Sequence, residues 1–160
     1  MFQFKKSFIT TFFVIIVLVM EMKIMLCCST AFYDKVEDIS NYLINKGYSI
    51  IYPNGYGEED NTDYDSLTLD EFSDLFRGFY TESINKIDNC DAILVLNYSK
   101  VKNGVELANY VGASTFLEMY NAFMNNKKIY LLNNIPDNML KDEIRSFKPI
   151  ILGGDINNVK

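Results

Sequence analysis

A single carboxylate set behind a run of small residues is the most chemically suggestive feature of this chain. In Asn109-Tyr110-Val111-Gly112-Ala113-Ser114-Thr115-Phe116-Leu117-Glu118-Met119, a small-residue loop runs into an amphipathic helix and puts Glu118 in its first turn. Free N–H groups and the positive end of the dipole at a helix start favour an anion or a sugar hydroxyl. A carboxylate held rigidly there can attack an anomeric carbon as its leaving group departs, forming a covalent glycosyl ester. A structural role competes with this one. Thr115-x-x-Glu118 fits a capping box, in which the threonine and the glutamate satisfy each other's backbone donors.

Composition removes several other chemistries. The chain has no histidine, which excludes Ser-His-Asp and Cys-His nucleophiles and imidazole-built zinc sites. Cys27, Cys28 and Cys90 are odd in number and lack metal-type spacing, so they read as reduced thiols of a cytosolic domain. A net charge of −6, with Arg77 and Arg145 the only arginines, gives nucleic-acid phosphates little to bind. Glu58, Glu59, Asp60, Asp63 and Asp65 fail the calcium-loop spacing and read as a solvated acidic loop. Gly55-x-Gly57 lacks the third glycine of a dinucleotide fingerprint and opens no helix.

The elements that must position Glu118 follow a regular order. Met1–Met22 is set aside: Lys5 and Lys6 precede an apolar run, which reads either as a signal anchor or as a mis-called start upstream of Met20 or Met22. Residues 23–160 form one domain. Lys23–Cys28, Tyr48–Tyr52, Ala92–Leu96, Lys128–Leu132 and Pro149–Leu152 are apolar runs suited to buried strands. Helical spacing links Phe32, Val36, Ile39 and Leu43 after a Ser29 or Thr30 cap, and Gly47 supplies the stop. Leu69, Phe72, Phe76, Tyr80, Ile84 and Ile87 share one helix face. Further helices run from the Glu118 corner to about Asn126 and over Asp137–Ser146. Alternating strands and helices predict an α/β doubly wound parallel sheet of about five strands, in the order 2-1-3-4-5, with helices on both faces.

In such a sheet the C-terminal strand ends form the ligand crevice. That brings together Cys28, Ser29, Tyr33 and Asp34 after strand one, Asn97 and Tyr98 after strand three, and Gly112, Ser114, Thr115 and Glu118 at the corner. Asn133, at the end of strand four, is nearby. Asp91, at the opposite end of strand three, reads as structural.

Three stretches together resemble the nucleoside 2-deoxyribosyltransferase-like superfamily: Lys23-Ile24-Met25-Leu26-Cys27-Cys28-Ser29-Thr30-Ala31-Phe32-Tyr33-Asp34, Ile87-Asp88-x-x-Asp91-Ala92-Ile93-Leu94-Val95-Leu96-Asn97, and Gly112-Ala113-Ser114-Thr115-Phe116-Leu117-Glu118-Met119. The resemblance implies a flavodoxin-like fold and cleavage or exchange of the N-glycosidic bond of a deoxynucleoside or deoxynucleotide. It makes Glu118 the nucleophile, the Tyr33–Asp34 region the substrate loop and Gly112–Thr115 the cradle for sugar or phosphate. It implies no metal or organic cofactor, and a homo-oligomer.

The chain departs from the family at three places. Tyr120 stands where a glycine often follows the nucleophile and is expected to crowd the pocket, Cys28 replaces a glycine, and Asn97 replaces an aspartate that could act as acid or base. Without histidine, the departing base must take its proton from Tyr33, Tyr98, Asp34 or water. The alternative is a nucleotide-sensing module of the same fold that cleaves nothing. A membrane enters only if the leader is retained.

Overall fold

The computed structural model describes residues 21–160. The expected leader therefore lies almost wholly outside the described residues. Five strands, β1 (Lys23–Cys27), β2 (Ser49–Ile51), β3 (Ala92–Val95), β6 (Lys128–Leu131) and β7 (Ile150–Ile151), form one sheet in the order β2-β1-β3-β6-β7. Every neighbouring pair in it is parallel. Two further strands, β4 (Lys100–Lys102) and β5 (Val105–Leu107), pair antiparallel in a separate hairpin between β3 and β6.

The helices are α1 (Tyr33–Asn45), α2 (Leu69–Asp88), α3 (Ala113–Met124) and α4 (Lys141–Ser146). Alternation along the strands divides the core in two, because successive strand side chains point to opposite faces. Met25, Cys27, Ile93, Val95, Ile129 and Leu131 pack with Ile87 of α2, Met119 and Ala122 of α3, and Ile144 of α4. Ile24, Leu26, Ala92, Leu94 and Tyr130 pack with Val36 and Leu43 of α1 and with Leu152 and Val159. Helices therefore cover both faces, as expected for continuous apolar strands.

The hairpin is additional to the five expected strands, and it changes the expected strand numbering beyond β3. Its signal is Asn103-Gly104 between Val101 and Val105. Both turn residues take positive φ, +53° and +76°, as a two-residue turn matched to strand twist requires. The base of the hairpin is tied by Asn109 N–H donating to Ser99 Oγ (3.3 Å) and Tyr110 N–H to the Tyr98 carbonyl (2.9 Å).

Helix α2 departs from expectation on one face. Of its apolar stripe only Ile87 is fully buried; Leu69 is 83% exposed and Ile84 41%. The capping box that starts α2 is built from Thr68 and Glu71, with Thr68 N–H and its hydroxyl both donating to Glu71 Oε2 (2.9 and 2.7 Å). Among the described residues no helix is long and apolar enough to cross a membrane.

Candidate functional site

Glu118 belongs to the second turn of α3, one turn deeper than the spacing predicts. The helix begins at Ala113 with Gly112 as its N-cap, and no side chain caps it. Thr115 is the third helical residue and is buried, so the expected Thr115–Glu118 capping box does not form. Gly112 leaves room for Tyr110: a Cβ there would sit 3.3 Å from the Tyr110 hydroxyl, a tight contact that a small shift of that ring would relieve.

Freed from capping, the Glu118 carboxylate turns to the wall of a cavity of about 650 Å³, a size usual for small-molecule sites. Cys28, Ser29, Tyr33, Gly112, Ser114, Thr115 and Glu118, all expected in the site, line it. Gly55, Gly57, Glu58 and Asp60 line it as well. The acidic segment is exposed, as expected of a solvated loop, and Glu58 and Asp60 of it border the cavity while Glu59, Asp63 and Asp65 do not. Tyr64, Phe76, Phe79 and Tyr80 give that side an aromatic character. Among the described residues no lysine or arginine lines the cavity, and no group of His, Cys, Asp and Glu is arranged to hold a metal ion.

Four expected residues are elsewhere. Asp34 is exposed, paired with Lys35 (2.8 Å), and does not line the cavity. Asn97 is completely buried: its Nδ2 donates to the Asn134 carbonyl (2.9 Å) and its Oδ1 accepts from Asn133 N–H (2.8 Å). Asn133 turns its own amide back to the Asn97 carbonyl (3.2 Å). The two asparagines therefore lock the ends of β3 and β6 together instead of facing a ligand. Tyr98 packs edge-on against Phe32, with ring centroids 5.7 Å apart. Tyr120, expected to crowd the pocket, does not line it and lies beside Phe147. Asp91 is structural as expected, its Oδ2 accepting from Lys23 N–H (2.7 Å).

Two residues with no sequence signature hold the site together, Asn54 and Ser83. Asn54 follows Pro53 in a turn closed by Tyr56 N–H donating to the Pro53 carbonyl (3.3 Å), with Gly55 at φ +71°. The Tyr33 hydroxyl donates to the Asn54 carbonyl. Asn54 Nδ2 donates to the Phe79 carbonyl (2.9 Å) and to Ser83 Oγ (3.0 Å). Ser83 Oγ in turn donates to Glu118 Oε1 (3.1 Å). A polar serine on the apolar side of α2 was the only available hint.

Burial pushes the Glu118 carboxyl up to about 7, against the pull of hydrogen bonds from Ser83 and Cys27 and of the Lys86 charge. Burial and the neighbouring Glu118 charge push the Cys28 thiol up to about 12, so it remains a thiol at neutral pH. Burial likewise pushes the Tyr33 hydroxyl up to about 12, leaving it a proton donor. The site therefore presents one carboxylate near its titration point, a phenol that keeps its proton, and polar and aromatic walls. Such a set suits covalent catalysis by a carboxylate.

Comparisons with protein-family models, with curated proteins and with solved structures find no match to this chain.

Proposed function

We propose that this chain cleaves or exchanges the N-glycosidic bond of a deoxynucleoside or deoxynucleotide, on a flavodoxin-like scaffold, with Glu118 as nucleophile. The observation that carries the reading is Glu118 itself, a carboxylate on the cavity wall held by Ser83 and unused for capping. A Glu118 oxygen bonds to C1′ as the C1′–N bond breaks, and the electron pair leaves with the base. The base takes a proton from water, or from Tyr33 once its hydroxyl turns away from the Asn54 carbonyl; Tyr33 is the one tyrosine or acid of the expected donors that lines the cavity. Water or a second base then attacks C1′, the bond from C1′ to Glu118 breaks with its electron pair returning to the carboxylate, and the attacking group's proton passes to the Tyr33 phenolate or to solvent, as in a retaining glycosidase. The aromatic side of the cavity supports stacking of a base. No metal or organic cofactor enters this scheme.

A panel of deoxynucleosides and their monophosphates, with and without an acceptor base, tests the reading by chromatography of released base. Release that disappears in Glu118→Ala supports it; no release from any member overturns it. One observation favours the sensing alternative. A carboxyl titrating at about 7 is partly protonated at neutral pH, and the neutral form is a poor nucleophile. That reading expects thermal stabilisation by nucleotide with no base released. The exposed Leu69, Phe72, Phe79 and Tyr80 of α2 support a homo-oligomer, since contiguous apolar surface commonly marks association.

A further inference from the structure

Asn54 and Ser83 form a hydrogen-bond chain whose direction is set by chemistry. The Phe79 carbonyl can only accept, so the amide edge of Asn54 that lies 2.9 Å from it must be the nitrogen. The same nitrogen lies 3.0 Å from Ser83 Oγ and donates to it. A serine hydroxyl has one proton. With a lone pair taken by Asn54, that proton is free to point at Glu118 Oε1, 3.1 Å away. Asn54 Oδ1 is left buried with no partner, the one such side-chain atom among the described residues. Buried polar atoms are seldom left so; here the amide is oriented for its nitrogen.

We infer that Asn54 and Ser83 are positioning residues for Glu118, a one-way chain of donors that fixes the carboxylate on the cavity wall and presents it with a proton to accept. Asn54 never touches Glu118 and acts through Ser83. The chain joins the loop after β2 to α2 and α3, and Tyr33 of α1 anchors it through the Asn54 carbonyl. It makes the turn after β2, which leads into the acidic loop, part of the support of Glu118.

Other groups bear on Glu118: the Cys27 and Cys28 thiols at the end of β1, the Tyr33 hydroxyl, and Lys86 of α2, itself paired with Glu82 (2.6 Å). None of these is changed by substituting Ser83 or Asn54. The inference rests on Glu118 as nucleophile only for its consequence in catalysis. Its test therefore reads the carboxyl directly and needs no turnover.

The protein is labelled with carboxyl-13C glutamate, and the Glu118 resonance is assigned by its loss in Glu118→Gln. Its titration is followed in wild type, Ser83→Ala, Ser83→Thr, Asn54→Ala and the Ser83→Ala/Asn54→Ala double variant. Loss of a hydrogen bond to a charged group should raise the Glu118 midpoint by ~1 pH unit in Ser83→Ala. Ser83→Thr, which keeps the hydroxyl, should stay within ~0.3 unit of wild type. Asn54→Ala should raise the midpoint by a smaller amount, and should add nothing once Ser83 is alanine. An unchanged midpoint in Ser83→Ala overturns the inference. So does an Asn54→Ala shift of equal size with and without Ser83. If Ser83→Ala does not fold, a wild-type midpoint in Asn54→Ala is the overturning result. A merely structural role would lower the melting temperature and leave the midpoints alone. Failure of the catalytic reading shows separately, as absence of base release by the wild type.

Discussion

Ser83 Oγ and Glu118 Oε1 lie 3.1 Å apart, joining the C-terminal half of α2 to the second turn of α3 across the cavity wall. The bond accounts for two features at once. It gives a buried carboxylate a donor, and it uses the one buried polar side chain of α2. Burial outweighs that donor, which is why the carboxyl is raised and not lowered.

Glu118→Gln should abolish base release while making the protein more stable at neutral and alkaline pH. The folded carboxyl titrates at about 7, above its ordinary value of 4.5. Between those values the folded state holds a proton that the unfolded state has lost, so wild-type stability falls as pH rises through that window. The loss approaches ~3 kcal/mol by pH 8 and is absent below pH 4.5. Glutamine has no proton to lose. Urea unfolding of both proteins at pH 5 and pH 8 should show the variant's relative advantage growing between them.

The rate of base release should follow the same group with the opposite sense. In the proposed mechanism only ionised Glu118 attacks C1′, so kcat/KM should climb as pH rises through about 7 and then level off. A flat profile between pH 5.5 and 8.5 would rule out Glu118 ionisation as the controlling event.

Asn97→Ala should act on stability and spare the chemistry. Its side chain satisfies the Asn134 carbonyl and the Asn133 N–H of the loop after β6, and it lies outside the cavity. Losing these part-buried hydrogen bonds and emptying the buried Asn97 site should cost about 2–4 kcal/mol. Unfolding measurements should register that loss, while base release per folded molecule stays within about threefold of wild type, ~0.7 kcal/mol in barrier height.

Thr68→Ala removes the capping box of α2 and should destabilise the protein by ~1 kcal/mol. Because α2 carries Ser83, Phe76 and Phe79 into the cavity wall, early fraying of its first turn should be visible by amide hydrogen exchange. Exchange at Phe72 and Ser73 should rise before exchange at Ile87, which is fully buried in the core.

Local chemistry in the chain was enough to determine the sheet, most of its helices and the presence of Glu118 at a strand-to-helix corner. Buried parallel strands must be continuously apolar, and helices must bury one stripe, so these elements are written in short stretches. Asn103-Gly104 between two valines carries the same kind of local signal, for a two-residue hairpin turn. Tertiary structure alone decided which polar groups meet. Asn54 and Ser83 are 29 residues apart and Ser83 and Glu118 are 35 apart, with no spacing rule to join them. Asn97 shows the converse, since a polar residue at a strand end reads the same whether it faces a ligand or clamps a neighbouring loop. Thr115-x-x-Glu118 reads as a capping box, but a box needs its threonine at the N-cap, and Gly112 occupies that place. The helix begins at Ala113, three residues earlier than that box would place it. That one-turn displacement is what takes Glu118 from the helix backbone to the cavity.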